Sequence, residues 1–488
     1  MVLAATLESL TKFVNQVDDL VWGVPLIGSI LATGILLSLM LRFRHLLHLG
    51  SAFRYVFHQG DGHHGEVSAF GALCTALSAT IGTGNIVGVA TAITTGGPGA
   101  LFWMEVAALF GMATKYAEGL LAVKYREVTP DGRVLGGPFY YIERGLGRRW
   151  KPLAVLFAVF GICAGLFGTG TITQIHGIAS AVQRFFDPAF DPSNPATGIQ
   201  VFGSTCSIAV MVAGAVVTLC VGLVVIGGLR RIAKVSMVVV PFMAVSYTLV
   251  CLVVMLGNLD KIPGALCLIV KAAFNPAAVT GGAVGTLFIA LQKGVARGIF
   301  SNEAGLGSEP IAAAAAKTNE PARQGFVSMT GTFIDTTVIC TMTGLTIVLS
   351  GAWDPALKLE GVGVTIEAFT RGLSFLPGGA AIVPCFLMTA LAFFAFTTIL
   401  GWDYYSEKCL EYLVGMHRPR VIKCYRLVYV AVVAVGPYLT VSIVWGVADV
   451  FNGLMAFPNL VALILLSPVV MRTTRDFLAR SATPLNRG

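Results

Sequence analysis

The chain has 488 residues, of which 56% are hydrophobic and 12% charged, and its mean hydropathy is +0.80. Soluble domains carry about 25% charged residues, so this composition excludes a large soluble enzyme and indicates a polytopic membrane protein. The net charge of +8 does not by itself indicate a nucleic-acid partner, because in a membrane protein the distribution of charge among the loops matters more than its sum.

Eleven uncharged or nearly uncharged runs follow one another along the chain, each long enough to cross a bilayer as a helix. Their hydrophobicity is continuous rather than alternating, which favours helices over a β-barrel and predicts an all-α fold. The first run follows an acidic segment without a cleavage site, so it is interpreted as a membrane helix and not as a secretory signal. The predicted spans are 21–42, 67–95, 98–122, 152–183, 205–229, 234–257, 281–317, 324–351, 379–415, 425–446 and 449–471.

Lysine and arginine predict the orientation of these spans. If the loop after the first span is cytoplasmic, the cytoplasmic segments hold 24 of the 33 basic residues and the opposite side holds six. Cytoplasmic loops are enriched in basic residues, so we predict an outside N-terminus and a cytoplasmic C-terminus. We expect the protein to lie in a plasma membrane, and in a bacterium this is the inner membrane.

The chain also predicts an internal repeat. After the first span, each set of five spans opens with a run interrupted by small and polar residues, "GTGN" at 82–85 and "SNEAGLGS" at 301–308. Five is an odd number, so the second set enters the membrane inverted, and paired broken helices in inverted halves indicate a secondary transporter. The predicted organisation is an N-terminal segment with one extra helix at 1–65, repeats at 66–260 and 261–471, and a cytoplasmic tail at 472–488.

The first interruption predicts two neighbouring binding sites. A helix that breaks at 82–85 leaves the carbonyls from Ser78 to Ile81 without helical partners and forms a negative end suited to a cation. On the other side, the amides of Gly84, Asn85 and Ile86 are expected to point inward and receive a carboxylate. Tight helix packing through glycine is the alternative interpretation of this stretch alone.

The second interruption predicts a complementary site. Carbonyls near Phe300 and Ser301 end a half-helix and could receive an ammonium group. Pro310 suits the first turn of a new helix, with Ser308 or Glu309 as its cap.

Two other stretches carry candidate polar groups. Phe167, Thr171 and Gln174 fall on one face of a predicted helix, and Gln174 bonds either a substrate or a neighbouring helix. The hydroxyls of Thr397 and Thr398 suit a hard cation such as sodium, although each could instead bond its own helix.

Charged side chains inside spans are costly and usually face the protein interior. The sequence makes an ion pair of Asp335 with Arg297 or Lys293 plausible. The other charged residues in or near spans are Glu105, Lys115, Glu303 and Asp403.

Several motifs in order resemble the alanine or glycine:cation symporter family. They are "GGPGALFWM" at 96–104, "GGPFYYIERGLG" at 136–147, "ARGIFSNEAGLGS" at 296–308, "GTFIDT" at 331–336 and "TTILGWDYYSEK" at 397–408. The resemblance runs along nearly the whole chain. It implies a LeuT-type fold of five plus five inverted helices, coupling to sodium or protons, and a small amino acid such as alanine or glycine as substrate.

The resemblance also implies roles for single residues. Together with the residues chosen above, the candidate substrate site comprises Thr83, Gly84, Asn85, Phe167, Thr171, Gln174, Ser301, Asn302 and Trp402. The candidate sodium site comprises the carbonyls of Ser78, Ile81 and Phe394 and the hydroxyls of Thr397 and Thr398. No organic cofactor is expected beside the coupling ion.

The predicted function is sodium-coupled uptake of alanine or glycine by alternating access. The alternative is proton-coupled uptake of another small zwitterion, with Glu105, Glu303 or Glu309 as the proton carrier. An intramembrane enzyme is disfavoured because the spans carry no nucleophile–base motif, and broken helices in inverted halves fit a transporter better than a channel. The sequence does not indicate the oligomeric state.

Overall fold

The computed structural model describes residues 12–14, 16–18, 20–58, 65–130, 132–191, 194, 197–201, 204–275, 287–415, 418–438 and 441–482. The start of the predicted span 281–317 and the end of the predicted tail lie outside these residues. The longer helices are numbered α1 to α16 in chain order. They are α1 Val24–Met40, α2 Leu49–Phe57, α3 Ala69–Thr80, α4 Val87–Gly96, α5 Gly99–Lys124, α6 Lys151–Phe167, α7 Ile172–Phe186, α8 Ile208–Val225, α9 Leu229–Leu256, α10 Ile262–Phe274, α11 Leu287–Asn302, α12 Pro321–Thr332 with its continuations Phe333–Cys340 and Thr341–Ser350, α13 Val362–Gly372, α14 Gly379–Val414, α15 Pro419–Val435 and α16 Val441–Ala482.

Shorter elements join these helices. Within the described residues, two antiparallel hairpins lie between helices, β1 Glu127–Val128 with β2 Val134–Leu135, and β3 Ile199–Val201 with β4 Ser204–Cys206. The segment Phe333–Cys340 within α12 is π-helical. The short helical segments that the structure describes include Arg44–Leu47, Thr83–Asn85, Pro138–Tyr140, Tyr141–Gly145, Arg148–Trp150, Leu259–Lys261, Pro310–Ala313, Pro355–Leu357 and Gly436–Tyr438.

The described chain is 81% helical, which confirms the all-α prediction. Eight helical segments of it are long and apolar enough to cross a membrane, and the bent pair α3 and α4 makes a ninth, as expected for a polytopic membrane protein. The predicted number of eleven is not confirmed. The helix α1 has 17 residues, at the short end of what a bilayer requires, and the described part of α11 has 16.

The predicted boundaries hold in part. The span 152–183 corresponds to one membrane-length segment, Arg148–Phe186, although within it α6 and α7 are separated by a short break at Gly168–Thr171. The span 425–446 is placed differently, because the described membrane-length segment there is Pro419–Tyr438, and α16, described from Val441, continues past the predicted end at 471. Pro437 disfavours a continuous helix there. The residues around it are uncharged, so a search for uncharged runs does not detect this boundary.

The apolar residues divide between a core and an outer face. Tyr116, Phe157 and Trp402 are fully buried in a core between α5, α6 and α14. In contrast, α8 and α9 present exposed apolar side chains, with Leu219 65% and Val238 71% exposed. Apolar side chains on the outer face are what a helix in contact with lipid requires.

Candidate functional site

The first predicted break lies between α3 and α4, whose axes differ by 64°. Ser68 caps the start of α3 with its Oγ atom 3.0 Å from the Gly71 amide nitrogen. The helix ends at Thr80, Gly82 is extended, and Thr83–Asn85 forms a single 3₁₀ turn before α4 starts at Val87.

Some backbone groups at this break do not make the hydrogen bonds that a continuous helix would give them. The amides of Gly82 and Thr83 would continue α3, but they donate to Asn85 Oδ1 at 2.9 Å and to Gln174 Oε1 at 3.4 Å. The carbonyls of Ser78 and Ala79 therefore lack their helical donors, as the sequence predicts.

The prediction for the amide end is only partly right. The Asn85 and Ile86 amides donate within the 3₁₀ turn, to the carbonyls of Gly82 and Thr83, each at 3.3 Å. Among the hydrogen bonds of the described residues, the Gly84 amide donates none. The available donor is therefore one amide, not three.

The second break follows α11. Glu303, Gly305 and Gly307 all have positive φ angles, of 56°, 90° and 83°, and glycine adopts such angles without steric cost. The next helical turn starts at Pro310, as predicted, but no side chain caps it. The predicted caps are turned elsewhere, since Ser308 donates to Glu303 and Glu309 pairs with Lys115.

The two breaks lie against each other. Asn85 Nδ2 donates to Ser301 Oγ at 3.0 Å, and a Cβ atom added to Gly84 would lie 3.6 Å from Ser301 Cα. Beyond the breaks, Val67 pairs with Ala316 at one end of the broken helices, and Gly96 lies beside Lys293 at the other. The broken segments thus run side by side in opposite directions.

Asp335 joins both breaks to the π-helical part of α12. It is fully buried, and its carboxylate accepts from Asn85 Nδ2 at 2.7 Å, Ser301 Oγ at 2.8 Å and Thr336 Oγ1 at 2.9 Å. Asn302 Nδ2 donates to the same Thr336 hydroxyl at 3.0 Å.

The predicted ion pair of Asp335 with Arg297 or Lys293 is wrong. Neither pair is among the ion pairs of the described residues. The Arg297 guanidinium lies 5.5 Å from the Phe300 ring centroid, in a cation–π arrangement. Hydroxyl and amide donors satisfy Asp335, so it needs no cation.

The candidate sodium ligands converge in part. Thr398 Oγ1 lies 3.2 Å from the Ile81 carbonyl oxygen and 3.0 Å from the Phe394 carbonyl oxygen. A Cβ atom added to Gly82 would be 2.6 Å from the same hydroxyl, so only glycine fits there without a shift.

The hydroxyls of the two other candidate residues, Thr397 and Ser78, bond carbonyls of their own helices. Thr397 Oγ1 bonds the carbonyls of Phe393 and Phe394 in its own helix and lies 3.6 Å from Met243 Sδ. Ser78 Oγ donates to the Thr75 carbonyl. The backbone carbonyl of Ser78, which is the predicted ligand, is therefore the only oxygen that Ser78 can offer to sodium.

The third group of candidates is split by the break at Gly168–Thr171. Phe167, Thr171 and Gln174 therefore do not share one continuous helix face, contrary to the prediction. Phe167 is 45% exposed, whereas Thr171 is fully buried and donates to the Leu166 carbonyl at 2.7 Å.

Gln174 contacts the first break, and Trp402 contacts the second. Gln174 accepts from the Thr83 amide, and Trp402 Nε1 donates to Glu303 Oε1 at 3.0 Å. Both side chains are buried.

Two cavities lead towards the first break. One of about 210 Å³ is lined by Gly84, Arg297 and Phe300, and another of about 270 Å³ by His176, Arg184 and Glu360. Thr83 and Val87 line both cavities. Arg184 and Glu360 of the second cavity belong to segments that the charge distribution predicts to be outside. Thr91 of the first cavity lies in α4 between the break and the predicted outer end of that helix, so both cavities lie on the predicted outer side.

Sequence reasoning missed a buried cluster behind the second break. Lys115 Nζ lies 2.8 Å from Glu309 Oε2, and Glu118 and Glu303 lie beside this pair. The available signal was the spacing of Lys115 and Glu118, one turn apart inside a predicted span. We refer to Lys115, Glu118, Glu303 and Glu309 as the buried acidic cluster.

These observations define the class of the protein as a polytopic membrane protein whose candidate site lies between two interrupted helices, the architecture of secondary transporters. The model of the sodium:alanine symporter family matches residues 7–486. The chain therefore belongs to the sodium:alanine symporter family.

Individual relatives cover nearly the whole chain. A Haemophilus influenzae protein named only as an uncharacterized transporter is 51% identical over 476 residues, or 97% of both chains. The sodium/alanine symporter AgcS of Methanococcus maripaludis is 45% identical over 96% of this chain and 97% of its own. The putative sodium/proton-dependent alanine carrier protein YrbD of Bacillus subtilis is 36% identical over 96% of this chain and 92% of its own.

Proposed function

We propose that the protein is a secondary active transporter that couples uptake of a small neutral amino acid, alanine or glycine, to the entry of sodium. The observation that carries this proposal is the pair of open backbone ends at the first break. Among the described residues, the Gly84 amide donates no hydrogen bond on one side of the break. On the other side the carbonyls of Ser78 and Ala79 lack their helical donors, close to the Thr398 hydroxyl that bonds the Ile81 carbonyl. One interrupted helix thereby offers an anion site and a cation site next to each other.

In this proposal the Gly84 amide binds the substrate carboxylate, and the backbone carbonyls that end α11 near Ser301 receive its ammonium group. Backbone donors bind an anion without an arginine, which suits a zwitterion with no net charge. Phe300 limits the size of the side chain, because a Cβ atom on Gly84 already touches its ring at 3.5 Å. A hydrogen atom or a methyl group fits such a space better than a long side chain.

The proposed sodium site uses the carbonyls of Ile81, Phe394 and Ser78 with the Thr398 hydroxyl. These neutral oxygen donors suit a hard monovalent cation, and unwound helix carbonyls are the usual ligands of coupling ions in transporters of this type. Thr397 is a weaker candidate, since its hydroxyl bonds carbonyls of its own helix.

For the transport cycle we propose alternating access by two inverted repeats of the LeuT type, 66–260 and 261–471. The antiparallel arrangement of the broken helices supports this division. The cavities on the predicted outer side would admit the substrate from outside. We further propose a plasma-membrane location, with the N-terminus outside and the C-terminus cytoplasmic, since 24 basic residues lie in the predicted cytoplasmic segments.

The proposal is tested by uptake of radiolabelled alanine and glycine into proteoliposomes that contain the purified protein. An inward sodium gradient should drive accumulation, whereas lithium or a proton gradient alone should not. Accumulation with a proton gradient in sodium-free buffer would favour the proton-coupled alternative. Failure to accumulate either amino acid under all three conditions would contradict the proposed substrates.

A further inference from the structure

The buried acidic cluster holds more negative charge than its ion pairs balance. Lys115 is fully buried, and Glu118, Glu303 and Glu309 are each at most 3% exposed. Among the described residues, the only ion pair of the cluster joins Lys115 to Glu309. Two further carboxyl groups therefore lie inside the protein without a cation of their own, and an unpaired buried carboxylate is strongly unfavourable.

The two remaining carboxyl groups are not equivalent. Glu303 accepts hydrogen bonds at both oxygens, from Trp402 Nε1 and from the Ser308 hydroxyl. Glu118 accepts at Oε1 only, from Asn459 Nδ2 at 2.6 Å and the Gly305 amide at 3.2 Å. Its Oε2 atom is buried and has no hydrogen-bond partner within the part of the chain that the structure describes. Donors thus stabilise an ionised Glu303, whereas Glu118 has one bare oxygen inside the cluster.

We infer that Glu118 carries an exchangeable proton on Oε2 and is a second cation-linked site of this protein, separate from the proposed sodium site. The proton comes from the aqueous phase and returns to it, so the step is one O–H bond formed or broken. A proton neutralises the carboxylate without adding volume. A metal ion would need several oxygen ligands and would lie beside the Lys115 ammonium, which repels it.

The proton has a defined structural consequence. Lys115 and Glu118 lie one turn apart on α5, so an ionised Glu118 competes with Glu309 for the Lys115 ammonium. Glu309 directly precedes the turn that starts at Pro310, and Glu118 also accepts from Gly305 within the second break. Loss of the proton would therefore loosen the segment that follows the second break.

Other titratable groups face the cluster from the neighbouring elements. Tyr405 on α14 interacts electrostatically with the three glutamates, Tyr141 with Glu118, and Asp335 in α12 with Glu303. Tyr141 is held by a hydrogen bond to Asn459 Oδ1 on α16. The tyrosines are neutral hydroxyls, and Asp335 has three donors of its own, which leaves Glu118 as the group whose charge changes.

The direct test is infrared spectroscopy of the purified full-length protein, in which a protonated carboxyl group gives its own C=O stretching band. The wild type should show this band at neutral pH and lose it in alkaline buffer. Glu118→Gln should abolish it, and the more conservative Glu118→Asp should shift it. A spectrum unchanged in Glu118→Gln would overturn the inference. Loss of the band on adding sodium at constant pH would show that the site takes a metal ion instead.

The consequence for transport rests on the proposed function and is measured separately. Binding of radiolabelled alanine at saturating sodium should weaken about tenfold per pH unit once the wild type loses the proton. Glu118→Gln should remove this dependence, and Glu105→Gln, another carboxyl group on α5, should retain it. Identical pH profiles in wild type and Glu118→Gln would contradict the inference. Absence of alanine binding with the infrared band present would contradict only the proposed function.

Discussion

Asn85 Nδ2 lies 2.7 Å from Asp335 Oδ1, and this contact attaches the first break to the middle of α12. The other end of the same side chain accepts from the Gly82 amide. Asn85 is therefore engaged at both ends by the protein, and it shapes the turn in which the neighbouring Gly84 amide has no acceptor among the described residues. Within the candidate substrate site, Asn85 acts on the shape of the backbone.

Asp335→Ala should destabilise the protein and abolish uptake. The substitution removes the carboxylate that accepts from Asn85 Nδ2, the Ser301 hydroxyl and the Thr336 hydroxyl, and each buried polar group left unsatisfied costs about 1–3 kcal/mol. Asp335→Asn retains one acceptor and should fold nearly as well as the wild type. Thermal unfolding of the purified variants measures the difference, and a wild-type melting temperature for Asp335→Ala would contradict the role assigned to this carboxylate.

Thr398→Ala should weaken sodium activation of uptake, whereas Thr397→Ala should not. Only the Thr398 hydroxyl reaches the Ile81 carbonyl at the first break. Removal of a ligand that contributes about 1.4 kcal/mol raises the half-saturating sodium concentration about tenfold. Thr398→Ser keeps the hydroxyl and is the matched control. Equal sodium dependence in both alanine variants would place the ion elsewhere.

Gly84→Ala should fold and yet impair uptake, and it should affect alanine before glycine. The added Cβ atom makes ordinary contacts of 3.5 Å to Phe300, and Gly84 does not have a positive φ angle. At Gly82 the same change places Cβ 2.6 Å from Thr398 Oγ1, so Gly82→Ala should disturb sodium activation as well. Substrate affinity and melting temperature separate the two effects. Wild-type alanine and glycine affinity in a folded Gly84→Val protein would show that this stretch is only a packing motif.

Arg126→Lys should destabilise the segment after the second break although it keeps the charge. The guanidinium donates to the carbonyls of Ala314 and Ala316, each at 2.7 Å, and of Thr318 at 2.5 Å. Burial lowers the pKa of Arg126 to about 10, so it remains a cation at neutral pH. A lysine ammonium has no planar fork with which to reach these carbonyls together. Faster proteolysis near residue 317 is the expected result, and Arg149→Lys, exposed in the same loop, is the control.

Single cysteines should report the predicted orientation. In a cysteine-free background, Ala356→Cys should react with an impermeant reagent added to intact cells, and Arg149→Cys should react only after the membrane is opened. Both side chains are exposed in the structure, so accessibility depends on the side of the membrane. Labelling of Arg149→Cys from outside would invert the proposed topology.

The sequence by itself determined the class of the fold and the location of both breaks. Uncharged runs of bilayer length require helices, and the glycines of "GTGN" and "EAGLG" weaken a helix wherever they occur. Pro310 likewise marks the start of a helical turn. These signals act over a few residues, so they can be read without knowing what packs against them.

Only the tertiary structure decided the partners of the buried polar groups. Asp335 is bonded by Asn85, 250 positions earlier, and not by Arg297 or Lys293, which the charges suggested. Similarly, helix packing turns Thr398 towards Ile81 while its neighbour Thr397 faces Met243. Lys115 meets Glu309 only because the chain folds back behind the second break. Such choices depend on how helices distant in sequence are packed, and a linear pattern of hydropathy and charge does not contain that geometry.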